Sequence, residues 1–296
     1  MNHRHHYHAG NFADVFKHTL LLTLIRRLQV KEKGFLFLDT HAGRGVYDLA
    51  LAVRGDTLAR QPEWPEGISQ VEATDPAARP EPVRQFLEAL EAFRREATGR
   101  AAAPGPENPP ALYPGSPRLA ARALRSQDRM VCCERHPEEH AILADEMAGL
   151  RRVRVECTDG YGAIRAHLPP LERRALVLID PPYEAPDEFD QVRRALIEGL
   201  RRLPGGIFAV WYPLTERADA AAFFDQLGEV ALPPTLAAEI VLAGPEMPLK
   251  LRGCGLLVLN PPWQFDLELK PVLPWLARAL ARGPGASSRL RWLAPE

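Results

Sequence analysis

Gly34-Phe35-Leu36-Phe37-Leu38-Asp39-Thr40-His41-Ala42-Gly43-Arg44-Gly45 passes from an apolar run into an acidic residue and then a glycine-bearing turn. A strand ending this way lets backbone amides approach a ligand closely, which is how doubly wound α/β folds hold nucleotide-like groups. The glycine fingerprint is incomplete: GxG occurs once, and the third glycine of GxGxxG is absent. The fold reading therefore leans on the flanking segments. Phe12 to about Lys31 is predicted as a helix, with Val15, Leu21, Leu22, Ile25 and Leu28 near helical spacing and Gly34 as its stop. Further strands are predicted at Arg129–Glu134, Val153–Cys157, Ala175–Ile179, Gly206–Trp211, Ala238–Leu242 and Gly255–Leu259.

Helical stretches separate the first five strands, so a mostly parallel sheet covered on both faces is expected. Only the short Ala243–Gly253 stretch joins the last two, which suits an antiparallel hairpin. The pattern is an α/β, Rossmann-like, seven-stranded sheet of the S-adenosylmethionine methyltransferase type. Residues 53–112, rich in Ala, Pro and Arg with a predicted helix over Glu81–Thr98, read as a small helical insertion subdomain. Residues 1–52 and 113–296 then form the main domain, and the tail from Arg282 to Glu296 is expected to cover a sheet edge or fray.

With 296 residues and 46% apolar content, the chain can bury one large core. A net charge of -1 means that the whole-molecule field does not draw in polyanions, so nucleic acid would have to meet local basic patches. Paired arginines at 26–27, 151–152, 173–174, 193–194 and 201–202 could supply them, although solvated helix faces account for most such pairs. Cys132, Cys133, Cys157 and Cys254 show no CxxC spacing and read as buried reduced thiols. No apolar run is long enough for a membrane span, and the histidine-rich start lacks a signal-peptide core, so a cytoplasmic, membrane-free protein is expected. The histidines at the start have no carboxylate or cysteine at ordinary ligand spacing, so no metal is expected.

The chemistry is carried by Asp180-Pro181-Pro182-Tyr183, which closes the strand Ala175–Ile179. The exocyclic amine of adenine is a poor nucleophile because its lone pair is delocalised into the ring; acceptors that hold its two protons localise that pair. Asp180 offers a carboxylate and Pro181 a carbonyl, while the prolines bring no spare amide donors. Tyr183 offers a ring face for a flipped-out base. Asn260-Pro261-Pro262-Trp263 fits the same pattern after another apolar strand. Ligands bind beyond the carboxyl ends of the parallel strands; a motif that follows an antiparallel strand faces away. DPPY is therefore expected to be catalytic and NPPW to be a turn whose Trp263 packs. Trp211 and Tyr212 are expected to line the base pocket.

The stretch His5-x-x-His8-Ala9-Gly10-Asn11-x-Ala13-Asp14-Val15-x-Lys17-His18 occurs together with Asp39-Thr40-His41-Ala42-Gly43, Tyr113-Pro114-Gly115-Ser116-Pro117 and Asp159-Gly160. With DPPY, Trp211-Tyr212-Pro213 and the closing Trp292-x-x-Pro295-Glu296, this set resembles the RlmJ family over nearly the whole chain. These are bacterial methyltransferases that act on the N6 amine of one adenine in 23S ribosomal RNA. The resemblance implies S-adenosyl-L-methionine as cofactor and 23S ribosomal RNA as partner. It implies that His18 and His41 flank the methionine part, Ser116 contributes from its turn, Glu134 grips the ribose hydroxyls, and Asp159 with Gly160 reads the cofactor's adenine. Asp180, Pro181 and Tyr183 would be catalytic, Asp180 also lying against the cofactor; His3, His5 and Lys17 would hold substrate. His3 stands where the family usually has tyrosine. On the residues alone, Ser116 before Pro117 also suits a helix cap. A monomer is expected.

Methylation of DNA adenine or of a glutamine amide uses the same tetrapeptide and stays open on the residues alone, as does RNA binding with a vestigial cofactor pocket. A dinucleotide oxidoreductase fits less well, given the incomplete glycine fingerprint.

Overall fold

The computed structural model describes residues 5–50, 61–98, 112–215, 220–228 and 231–295. Its centre is an eight-stranded sheet. β1 (Leu36–Asp39), β4 (Arg129–Cys133), β5 (Val153–Glu156), β6 (Ala175–Ile179) and β7 (Ile207–Leu214) run parallel. β8 (Thr235–Val241), β9 (Gly253–Leu259) and β10 (Ser287–Ala294) complete it in the order β10-β8-β9-β7-β6-β1-β4-β5. β9 is antiparallel to both β7 and β8, as the short connection requires. The strand count departs from the expected seven because the tail does not fray: Ser287–Ala294 pairs with β8 and adds an antiparallel edge strand.

The inner strands β6 and β9 are apolar throughout because both of their faces are covered, whereas the edge strands β5 and β10 carry charged residues. Alternation then sorts the side chains. Phe35, Phe37, Met130, Cys132, Leu176 and Leu178 join one buried cluster, and Leu36, Leu38, Val131, Cys133, Val177 and Ile179 join the other. The first cluster is covered by α2 (Phe12–Gln29) and by the long helix Phe265–Ala279. α2 follows α1 (His5–His8) and is itself sandwiched, with the helix Glu81–Thr98 against it, which explains why twelve of its 18 residues are buried.

The segment from Trp64 to Thr98 contributes Trp64, Ile68, Val71, Val83, Phe86 and Leu90 to the same cluster as the sheet. A two-stranded antiparallel ladder, β2 (Val46–Asp48) with β3 (Leu112–Pro114), ties together the chain on either side of it. The expected insertion boundaries at 53 and 112 fall partly on residues outside those described. Cys132, Cys133 and Cys254 are buried free thiols, but Cys157 is exposed, because it lies just past the end of β5. No helix among the described residues is long and apolar enough to cross a membrane.

Candidate active site at the carboxyl ends of the central strands

The chain leaves β1 toward β4 and β5 on one side and returns to β6 on the other, so the crevice between β1 and β6 is a topological switch point. The two strands are in tight register: Asp39 pairs with Leu178, and Thr40 donates both its amide (3.1 Å) and its hydroxyl (2.9 Å) to the Leu178 carbonyl. The glycine turn and DPPY therefore leave the sheet side by side. NPPW leaves it at the other end, because Leu259 pairs with Phe208 near the start of β7. The Asn260 amide closes that turn by donating to the Pro204 and Gly206 carbonyls, both at 2.8 Å. Its Trp263 does not pack as expected: it is 72% exposed, and the contact it makes is through its backbone carbonyl, which accepts from Arg27.

Lys17 reaches from α2 to Asp180, Nζ to Oδ2 at 2.6 Å, and also contacts Asp14 at 3.0 Å; the Lys17 and Asp180 side chains are only 12% and 16% exposed. Burial alone would push the ammonium toward neutrality, but Asp180 and Asp14 outweigh it and raise its pKa. Burial likewise disfavours the Asp14 carboxylate, and Lys17 more than offsets that, so its pKa lies below the usual range. Asp14 is fixed in place by the Gly10 amide at 3.0 Å, while the Asn11 side chain caps the helix at the Asp14 amide. Among the described residues, Asp180 Oδ1 and the Pro181 carbonyl accept no hydrogen bond. Two acceptors thus lack a donor beside a third oxygen already committed to Lys17, with Asp180 partly buried and Pro181 buried.

Tyr183 adopts a left-handed backbone (φ 51°) and donates its hydroxyl to the Trp211 carbonyl at 2.7 Å. A non-glycine residue is held there at a cost of about 1–2 kcal/mol. Its ring lies 4.8 Å from Phe189 and 5.9 Å from Trp211. Trp211 is half-buried beside it, but Tyr212 faces the opposite side of the sheet, fully buried with its hydroxyl on Glu239 at 2.8 Å. Strand alternation lets only one of that pair reach the crevice.

The other half of the site is the glycine turn and its neighbours. Gly43 and Gly45 have φ of 63° and 83°, which explains why glycine stands at both. Glu134, after β4, accepts the Gly43 amide at 2.9 Å and the His136 amide at 2.7 Å, so it shapes the turn and still has lone pairs for hydroxyl groups. Asp159 caps the helix Gly160–His167 at the Gly162 amide, 2.8 Å. A Cβ at Gly160 would lie 1.9 Å from the Thr40 carbonyl oxygen, so only glycine lets this helix start pack against the turn. His41 Nδ1 is hydrogen-bonded to the Thr40 hydroxyl at 2.8 Å, and its ring meets Tyr161 edge-on at 5.0 Å. Burial lowers its pKa to about 4, against the pull of Asp180 and Asp159, so its imidazole is neutral.

Ser116 is not the helix cap; Gly115 holds that place, and the Ser116 hydroxyl donates to Asp39 at 2.7 Å. Asp39 is fully buried, its other oxygen has no partner, and burial pushes its pKa up to about 7. His18 is 1% exposed; its Nδ1 meets the Tyr113 hydroxyl at 2.9 Å, and burial lowers its pKa to about 3. It touches the crevice through Asp14, 3.9 Å away, rather than through open surface. Sequence reasoning missed the Asp14 contact and the Tyr113 partnership; both residues stand in quoted motifs, yet nothing in their spacing pairs them. His3 and the side chain of His5 lie outside the described residues. No group of three or more metal-ligating side chains occurs among the described residues.

The family described as "Ribosomal RNA large subunit methyltransferase D, RlmJ" matches residues 32–294. The chain is 35% identical over 296 residues to "Ribosomal RNA large subunit methyltransferase J" of Haemophilus influenzae, and 34% identical to the Escherichia coli protein of the same name; both alignments cover all of each chain. A solved structure of a Legionella pneumophila protein aligns with a TM-score of 0.81 and 33% identity, covering 96% of this chain and 98% of that one.

Proposed function

The chain belongs to the RlmJ family of large-subunit ribosomal RNA methyltransferases, and from that footing we propose that it methylates the N6 amine of one adenine in 23S ribosomal RNA. The observation that carries this reading is the pair of acceptors without a donor, Asp180 Oδ1 and the Pro181 carbonyl, at the carboxyl end of a parallel strand beside the glycine turn. A flipped adenine stacked on the Tyr183 side would give its two amine protons to those acceptors, which localises the nitrogen lone pair for attack. Lys17 holds Asp180 Oδ2, so the carboxylate cannot turn away and the amine meets Oδ1.

The residues of the second half fit S-adenosylmethionine as methyl donor, which supplies an electrophilic methyl on a sulfonium. Glu134 offers acceptors for vicinal hydroxyls, Asp159 with Gly160 offers an edge for the cofactor's adenine, and neutral His41 lies within electrostatic reach of both Asp159 and Asp180. Ser116 and His18 support this half from behind, by fixing Asp39 and by tying Asp14 to Tyr113. His3 and His5 are taken, from the family resemblance, to hold substrate. After transfer, the methylated nitrogen loses its proton to Asp180 Oδ1 and then to water. Positioning and exclusion of water do most of the catalysis.

The test is Asp180→Ala with labelled methyl donor and, in parallel, naked ribosomal RNA, duplex DNA and protein. Incorporation should appear in ribosomal RNA only and vanish in the variant, while cofactor binding by calorimetry survives. Activity retained in the variant, or label entering only DNA or protein, would refute the assignment.

A further inference from the structure

Three of the five arginine pairs noted in the sequence come together at the end of the sheet opposite the crevice, where the parallel strands begin. Arg151-Arg152 precede β5, Arg173-Arg174 precede β6, and Arg201-Arg202 end the helix before β7. Lys31 and Lys33 precede β1, and Arg125 and Arg129 precede or open β4. Contacts make this edge continuous. Arg174 donates to the Lys33 and Leu28 carbonyls, Arg125 to the Gln29 and Lys31 carbonyls, Gln127 to Glu32, and Arg152 to the Gln127 carbonyl at 3.4 Å.

The carboxylates on this edge are mostly committed: Asp128 to Arg125, Glu172 to Arg129, and Glu198 to Arg201 and Arg202. Lys31, Lys33, Arg151 and Arg173 are exposed and form no ion pair with a carboxylate among the described residues, and exposed Arg152 lies near enough to Glu172 to help lower its pKa; the exposed acids nearby are Glu32 and, at the end of the preceding helix, Asp145. In a chain of net charge -1, that is a local excess of positive charge. Burial and the neighbouring Arg125 depress the pKa of Arg174, which marks how closely like charges are gathered. Arg152 and Arg173 also occupy left-handed backbone, with φ of 62° and 56°. Each does so at about 1–2 kcal/mol that glycine would avoid, so the turns themselves do not call for arginine.

We propose that this edge is a second RNA-binding surface, at which Lys31, Lys33, Arg151, Arg152 and Arg173 contact the phosphate backbone of the ribosomal RNA at a distance from the methylated base. The inference rests on the ribosomal RNA reading given above. Strands of four to eight residues separate it from the crevice by roughly 13–26 Å. A structured RNA is large enough to reach both ends, whereas a short hairpin filling the crevice is not. The contacts would add affinity and orientation without base preference.

The experiment compares the wild-type chain with the variant K31Q/K33Q/R151Q/R152G/R173G, in which the two glycine substitutions relieve backbone strain. Binding to a long 23S ribosomal RNA fragment is measured by fluorescence anisotropy across a salt series, and methyl transfer is measured on a short target hairpin. For the variant, affinity for the long fragment should fall at least tenfold near 0.1 M salt, and the log–log salt slope should flatten by about 4 if each lost cation removes one phosphate contact. Hairpin methylation should be unchanged, and R193Q/R194Q, which alters a pair lying elsewhere, should bind as the wild type does. A misfolded variant would lose hairpin methylation as well; R152G/R173G alone then serves, with a loss of about threefold or more expected. Equal affinity and equal slope in a variant that still methylates the hairpin would overturn the second surface, and would point to an acidic protein as occupant of this edge. No methylation of any ribosomal RNA by the wild-type chain would instead sink the functional reading itself.

Discussion

Asp180-Pro181-Pro182-Tyr183 and Asn260-Pro261-Pro262-Trp263 each follow a fully buried apolar strand, yet one stands in a charged crevice and the other in a surface turn. Strand direction makes the difference. β6 runs parallel to β1 and delivers Asp180 beside the glycine turn and Lys17, whereas β9 runs antiparallel to β7 and delivers Asn260 to the carbonyls of Pro204 and Gly206. The first residue follows suit. A carboxylate keeps one oxygen open after pairing with lysine, whereas the amide nitrogen of Asn260 already donates to two carbonyls. A motif of four residues thus acquires chemistry only from the end of the sheet on which the topology places it.

The sharpest way to break this comparison is to exchange effects between the two motifs. Asp180→Ala should lower methyl transfer by about 10³-fold, because an amine acceptor is lost while Lys17 keeps Asp14 as its remaining partner. Lys17→Met should cost roughly 10²-fold, since Asp180 and Asp14 are then left as two close carboxylates without their shared cation; steady-state kinetics on ribosomal RNA would show it. Asn260→Ala should leave turnover unchanged but destabilise the fold by about 1–3 kcal/mol in urea unfolding, because two backbone carbonyls lose their donor.

The two ends should also differ in their response to acid. His18 and His41 have folded pKa values of about 3 and 4, below the unfolded value near 6.5, so the unfolded chain takes up protons first and stability falls as pH drops from about 6.5 toward 4. Asp39, raised to about 7, acts in the opposite sense, because the folded chain takes up its proton first and stability rises as pH falls from about 7 toward 4. Asp39→Asn removes that opposing contribution. Unfolding free energy measured between pH 7 and 5 should then fall more steeply than in the wild type, by about 1 kcal/mol per pH unit. The Asn260→Ala loss should stay constant over that range. The smallest effect is expected at Trp263→Ala: with 72% of the residue exposed, stability and turnover should stay within about 0.5 kcal/mol of the wild type.

Local pattern sufficed where the physics is local. Ala175–Ile179 and Glu81–Thr98 lie where apolar run and helical period place them, and the short connection before β9 forces its direction. What escaped the sequence depends on partners remote in the chain. Ser116 looks like a cap because Pro117 follows it, but 77 residues earlier Asp39 presents a buried oxygen that claims its hydroxyl. The β2–β3 ladder joins segments that are each only three residues long, too short to show a period. Tyr212 was assigned to the crevice with Trp211, although alternation along β7 allows only one of them that face. The tail from Ser287 becomes a strand because β8 offers an open edge, which no local signal announces.

The most direct measurement is mass-spectrometric mapping of modified adenosines in 23S ribosomal RNA from cells lacking this chain, restored in turn with wild type, Asp180→Ala and Asn260→Ala. One N6-methyladenosine should return with the wild type and with Asn260→Ala, and stay absent with Asp180→Ala. Its return with Asp180→Ala, or its loss with a folded Asn260→Ala chain, would contradict the assignment of catalysis to the β6 end of the sheet.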